Sequence, residues 1–402
     1  MSDLMEDFFD TEFYDSAIEK SLDKQISTAQ IRKFCTVAFR LKLLQDLEEG
    51  KYKIAPPHVS YIPKDDGTLR EIYVNSAKDR MILTLINAIW YKRHADMISP
   101  ACKAYISGSS CAKVVREIAT RHISGYKLDL SKYFDSVSHE IINKYLAELD
   151  TGTPLDKAVY AYYNDDTVIV KGERISRFKS LAQGCAVSAF LSNCVLEDID
   201  DKMLELCEYY CRYSDDMLLL GKGADKALTV LQSMLCDKGL SLNSNKIEQV
   251  SADKEFKFLG FGIHGGVIDI SQKDYCAKKA EIKHVTRVVM HKRMSAEDKL
   301  RTAVKEVMSV FNNWAEPTHG WLYVKAQGIN STARLAELDK YCKEHIRAAV
   351  TGGWNFTTNM NKVSEEKLRE AGYVSLLHIF KIATMDRSLF LQECLQWKQH
   401  MR

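Results

Sequence analysis

Two adjacent carboxylates, Asp215 and Asp216, sit in the stretch CRYSDDMLLL (211–220), between apolar runs of strand-forming residues. Burying an unpaired charge is expensive, so any fold adopted here must supply a turn, a cation or both at this point. Ser and Asp are ordinary turn residues, and a plain hairpin is one sufficient answer. A second stretch raises the same question. In KLDLSKYFDSVSHE (127–140), Asp129 lies between Leu128 and Leu130, again an acid where hydrocarbon is expected.

One strand therefore offers Asp129 and a later hairpin offers Asp215 with Asp216. Brought together, three carboxylates repel unless divalent metal fills the gap between them. Two Mg²⁺ ions about 3.5–4 Å apart, bridged by such acids, clamp the attacking and leaving oxygens of a phosphoryl transfer. Hard oxygen ligands with room for water and phosphates are what Mg²⁺ prefers. Three unrelated acids in turns and caps are the competing explanation.

The surrounding pattern predicts an α+β protein. Residues 13–49 read as helical up to Gly50, and HVSYIPKDDGTLREIYV (58–74) as strand, tight DDG turn and strand. Helices are expected over 76–98, from Ser138 to 149, as one long element over 188–207, and over 224–238, with strands near 241–250 and 255–263. Beyond Ser271 the periodicity is almost wholly helical. Strand–helix, helix–hairpin and helix–strand order implies helices on one face of a sheet instead of alternating βαβ units.

Composition narrows the class further. No apolar run approaches the roughly 18 residues that suggest a membrane span. The acidic start, MSDLMEDFFDTEFYDSAIEK, is unlike a secretory signal. The 11 cysteines form no CxxC pair, so reduced thiols and a cytoplasmic location are expected. Net charge is only +2, yet residues 271–402 carry 22 Lys/Arg against 14 Asp/Glu. Such a basic third suits contact with a polyanion, although solvated helices look similar.

Seven segments in consistent order over about 58–265 resemble those of bacterial reverse transcriptases, related to the group II intron and retron enzymes. LDLSKYFDSV, LAQGCAVSAFLSN and YSDD are similar to the first three palm motifs; GLSLNSNK and FKFLGF are similar to the fourth and fifth. IPKDDGTLREI resembles the fingers hairpin, and KAYISGSSCAKVV the segment before the palm. The resemblance implies a right-hand polymerase with an N-terminal helical extension (1–57), fingers (58–125) and a palm (126–270) with a finger-associated insertion around 150–180. A helical thumb and C-terminal region (271–402) would follow.

Carried over residue by residue, the resemblance implies that Asp129, Asp215 and Asp216 bind two Mg²⁺ ions, for which Mn²⁺ can substitute. Lys246 would be a general acid toward pyrophosphate, with a surface lysine on an edge strand as the alternative. Phe134 would lie beneath the incoming sugar and leave no room for a 2′-hydroxyl, although a core Phe reads the same way. Lys64 and Arg70 would hold the triphosphate, where exposed hairpin cations are otherwise merely solvated. Gln183 and Gly184 would face the nucleotide or template, and Tyr213 the primer end. Ser188 and Asn193 are expected to be structural. In the thumb, Lys278, Lys279, Lys283 and Arg287 would grip template and primer by phosphate; Lys279, Lys283 and Arg287 share one helix face.

The implied partners are an RNA template (a dedicated non-coding RNA among the options), the DNA product, dNTPs, and partner proteins or further copies of the chain, with no membrane. The subtype reading is an unknown-group reverse transcriptase of phage defence. Alternatives are template-independent or RNA synthesis, and a catalytically silent nucleic-acid-binding assembly protein. One departure stands out: the second motif usually carries Pro where this chain has Ala182.

Overall fold

The computed structural model describes residues 3–14, 27–64, 67–121 and 123–400. The chain forms two compact units, 1–107 with 125–249, and 108–124 with 250–402. The expected α+β class is observed in the first. Asp65 and Asp66 of the DDG turn lie outside the described residues, as does much of the predicted 13–49 helix. From 27 to 49 the latter forms two helices, Thr28–Phe34 and Val37–Glu48, because Thr36 caps a new start through its hydroxyl.

In the first unit, β1 (His58–Pro63) and β2 (Leu69–Val74) pair antiparallel from His58↔Val74 to Pro63↔Leu69. The segment around 150–180 supplies a helix, Pro154–Asn164, and a hairpin of β4 (Thr167–Val170) and β5 (Glu173–Ser176). β4 runs parallel to β1, so this hairpin extends the sheet in the order β2-β1-β4-β5.

The second sheet holds the acids. Its order is β6-β7-β3-β8, from β3 (Gly125–Asp129), β6 (Tyr209–Tyr213), β7 (Asp216–Leu220) and β8 (Glu248–Val250). A side chain on Gly125 would meet the Leu219 carbonyl at 2.0 Å, so only glycine lets β3 begin this close to β7. Helices Ala77–Arg93, His139–Leu149 and Ala224–Asp237 contribute to the same apolar core, the first two N-capped by Ser76 and Ser138.

The long helix expected over 188–207 is instead two, Ser188–Cys194 and Glu197–Leu206. At the break, the Asn193 carbonyl accepts from the Leu196 amide at 3.3 Å and from Arg212 Nη2 at 3.4 Å. It is thus drawn out of the i→i+4 ladder by a side chain from β6.

The second unit packs helix Cys111–Ala119 with a meander of β9 (Phe256–Phe258), β10 (Phe261–His264) and β11 (Val267–Ile270). Ser271 then caps helix Gln272–Met290, and helices including Ala296–Phe311 and Ala333–Thr351 close a separate core. Among the described residues no helix is long and apolar enough to cross a membrane. None of the 11 cysteines forms a disulfide.

Candidate active site

Backbone pairing brings the three acids together. β3 lies antiparallel to β7 with Asp129 opposite Asp216, and directly opposed residues share one face of a sheet. The β6–β7 hairpin pairs Tyr213 with Asp216, leaving Ser214 and Asp215 as its two loop residues. The Leu130 amide donates to the Asp215 carbonyl at 3.1 Å, which ties the tip of the hairpin to the end of β3. On the other side, the Asn243 amide donates to the Asp129 carbonyl at 2.8 Å. Buried Leu128, Leu130 and Met217 flank the acids, so the sheet interior holds them in place.

The charge around them is only partly compensated. Lys246 Nζ lies 2.7 Å from Asp129 Oδ2. Burial, followed by the charges of Asp215 and Asp129, pushes the Asp216 carboxyl up to about 6. Burial and then Asp129 raise Asp215 as well, with the Lys246 charge opposing. Burial acts to lower Lys246, but the hydrogen bond and charge of Asp129, with the charges of Asp215 and Asp216, leave it raised. Carboxylates held at such a disadvantage favour a bound cation, and their hard oxygens suit Mg²⁺ or Mn²⁺. Among the described residues, no three ligating groups are already gathered at metal-binding spacing. The Asp129 carboxylate is engaged with Lys246, so a divalent ion would compete with that ammonium.

Beneath the hairpin lies a buried network that sequence reasoning missed. Arg212 and Asp200 are both fully buried and paired, with Arg212 Nη2 2.6 Å from Asp200 Oδ2 and Nε 2.8 Å from Oδ1. Burial works against the Arg212 charge, but the Asp200 carboxylate more than offsets it. Tyr210 also donates to Asp200, at 2.7 Å. Arg212 Nη1 reaches the Asn193 side-chain oxygen at 3.3 Å and the Ser214 carbonyl at 3.1 Å. Ser214 needs that support, because its φ is +61°, in the left-handed region. Two-residue hairpin turns normally place glycine, Asn or Asp in such positions. Asn193 was read as structural, and here it connects Arg212 with Tyr91 and the Ala104 carbonyl.

The nucleotide candidates form a connected layer. The Leu181 amide donates to the Phe134 carbonyl at 3.2 Å, and the Tyr73 amide to the Gln183 carbonyl at 2.8 Å. Hydrogen bonds thus link the segment after β3, the 179–185 loop and the hairpin carrying Lys64 and Arg70, both exposed. Phe134 is half-buried, its ring 5.5 Å from Tyr133. A Cβ on Gly184 would meet Ile72 Cγ2 at 2.7 Å and the Tyr73 carbonyl at 2.9 Å, so β2 is what demands glycine here. Ser188 Oγ stands 3.2 Å from the Ala182 carbonyl and 3.0 Å from the Tyr163 hydroxyl, bracing a loop whose Ser180 and Ala182 have φ of +46° and +54°. Proline cannot adopt a positive φ, so this loop takes a path closed to the usual Pro.

Lys278, Lys279, Lys283 and Arg287 all lie on helix Gln272–Met290 of the second unit. Lys283 and Arg287 are exposed, and Lys279 Nζ sits 4.6 Å over the Tyr341 ring. Lys278 differs. Its side chain is only 12% exposed, and Nζ donates to Glu281 at 2.8 Å and the Val310 carbonyl at 3.0 Å. A cation so engaged is packing material for the unit instead of a free phosphate contact.

Parts of the chain are similar to known proteins. The chain is 25% identical over 174 residues to the putative COX1/OXI3 intron 1 protein of Saccharomyces cerevisiae, covering 42% of this chain and 21% of that protein. It is 25% identical over 281 residues to protein YkfC of Escherichia coli, covering 56% of this chain and 71% of the relative. Among solved structures, telomerase from Candida tropicalis in complex with a fragment of telomeric RNA aligns over 91% of this chain and 68% of its own, at TM-score 0.46 and 13% identity. The apo form gives TM-score 0.46 over 86% of this chain and 68% of its own, at 12% identity. The family model described as reverse transcriptase (RNA-dependent DNA polymerase) matches residues 62–263, a stretch that includes Lys64, Arg70, the 179–185 loop and all three acids. With half of its length in that match, the chain belongs to the reverse transcriptase family.

Proposed function

We propose that the chain is an RNA-directed DNA polymerase that extends a primer with dNTPs by two-metal phosphoryl transfer. The observation that carries the reading is the register of β3 against β7, which places Asp129 opposite Asp216 with Asp215 hydrogen-bonded across to Leu130. In this reading the first unit holds most of the fingers and palm, residues 108–124 and 250–270 of those regions belong to the second unit, and the helices after Ser271 act as thumb.

Two divalent ions held by Asp129, Asp215 and Asp216 would supply charge neutralisation and a more acidic primer hydroxyl. The chain's own residues do the rest. With ions held by the acids, Lys246 would be released from Asp129, and its ammonium would be placed to protonate the departing pyrophosphate. Lys64 and Arg70 bind the triphosphate oxygens from the β1–β2 hairpin, whose carriage on Gln183 fixes their reach. Phe134 excludes a ribose 2′-hydroxyl. Lys279, Lys283 and Arg287 hold the duplex by phosphate, with the salt dependence such contacts show. Lys278 contributes through packing.

The template is RNA on this reading, and a role in defence against phage is the biological setting we favour for it. The test is incorporation of labelled dNTP on a primed RNA template with Mg²⁺. Wild type should extend the primer and Asp215→Asn should not. Undiminished synthesis by the variant would remove these acids from the mechanism.

A further inference from the structure

We propose that Tyr105 positions the primer: its ring is a stacking face for the terminal nucleotide, and its hydroxyl holds the turn that carries Asp215. The inference deepens the polymerase reading above and rests on it.

Tyr105 combines two properties that seldom meet. Its φ is +63°, and a bulky residue there is a true outlier. The residue is nevertheless 48% exposed and takes no part in the apolar core of its unit. A packing residue would be buried, and a solvated one would have no reason to be strained. Strain of this kind persists only where the surroundings over-determine it, and it gathers at ligand sites.

The surroundings here do over-determine it. The Arg212 amide donates to the Ala101 carbonyl at 3.0 Å, and the Lys103 amide to the Arg212 carbonyl at 2.8 Å. Asn193 Nδ2 holds the Ala104 carbonyl at 3.1 Å. Residues 101–104 are thereby strapped along β6, and the chain turns at Tyr105 so that its hydroxyl lies 3.0 Å from Ser214 Oγ. Two left-handed residues 109 positions apart thus meet through one hydrogen bond at the tip of the acid-bearing hairpin. Burial first, with the nearby Asp215 charge adding to it and the Ser214 bond opposing, raises the phenol above its ordinary value. Either hydroxyl can donate across this bond.

The free ring is a flat apolar face beside a carboxylate that serves the primer hydroxyl. Aromatic faces accept nucleobases and sugars with little sequence preference, as a primer terminus of arbitrary sequence requires. The two parts of Tyr105 separate by substitution: Tyr105→Phe keeps the ring and loses the clasp, while Tyr105→Leu and Tyr105→Ala lose both.

The test uses full-length protein and a primer–template whose 3′-terminal base is the fluorescent analogue 2-aminopurine, with single-turnover dNTP incorporation measured in parallel. Wild type and Tyr105→Phe should quench the terminal base equally, and Tyr105→Leu should leave it bright. Tyr105→Phe should slow incorporation about tenfold at saturating primer, the loss of one oriented hydrogen bond. Tyr105→Leu stands in should Tyr105→Ala fail to fold. Equal quenching by all variants that melt like wild type would overturn the stacking role, and unchanged incorporation by Tyr105→Phe would overturn the clasp. Absence of incorporation by wild type would instead refute the polymerase reading itself.

Discussion

If the acids are built to receive metal, the metal-free protein should be strained by them, and Asp216→Asn should relieve that strain. The Asp216 carboxyl stands at about 6 against an ordinary 3.8. At about 1.36 kcal/mol per pKa unit, holding it ionised at pH 7.5 costs the fold about 3 kcal/mol. Asp216 is half-buried, so solvent screening reduces the figure to about 1–2 kcal/mol. An apparent melting temperature higher by roughly 3–6 °C is the expected gain in EDTA at pH 7.5. The pH dependence has a definite sign. Between pH 6 and 4 the native acid takes up a proton while the unfolded one stays ionised, so wild type recovers stability as pH falls. The advantage of Asp216→Asn should therefore shrink over that window and vanish near pH 4. Saturating Mg²⁺ should reverse the order, since wild type then gains binding energy that the variant lacks. A variant no more stable than wild type in EDTA at pH 7.5, or one whose advantage ignores pH, would refute this reasoning.

Phe134→Ala should raise the use of NTPs relative to dNTPs by about tenfold or more in primer extension, and unchanged selectivity would remove Phe134 from sugar discrimination. Arg212→Met leaves the Asp200 carboxylate buried without its partner, which should cost about 3–5 kcal/mol in thermal or urea unfolding; a loss under about 1 kcal/mol would show that the pair is not what supports the hairpin. Ala182→Pro forces a negative φ where the loop requires +54°, so a loss of about 3 kcal/mol or more is expected in the same assay. A Pro variant of wild-type stability would mean that the loop takes the usual path after all.

Much of the site was legible because its signals are local. An acid inside an apolar strand, a polar turn between two strands, and Ser76, Ser138 and Ser271 ahead of helical periodicity each announce themselves within a few residues. What escaped notice depends on distant partners. The 188–207 helix has unbroken periodicity, and it breaks only because Arg212 recruits the Asn193 carbonyl. Arg212 itself reads as an ordinary polar residue of a strand until Asp200 is found beneath it. Gly184 looks like an opening for a nucleotide, yet Ile72 and Tyr73 fill the space beside it. Lys278 shares a helix with Lys279 and Lys283, but a one-residue step turns it about 100° around the axis, toward Glu281 and Val310. Tyr105 and Ser214 are 109 residues apart, and nothing in either neighbourhood signals their contact.

The count of Mn²⁺ ions bound in a ternary complex with primed RNA and a non-reacting dNTP analogue, read by electron paramagnetic resonance, probes the acids most directly. Two strongly bound ions per wild-type chain and at most one in Asp215→Asn is the predicted result. Equal occupancy in the two proteins, or none in wild type, would mean that Asp129, Asp215 and Asp216 meet for some purpose other than holding metal.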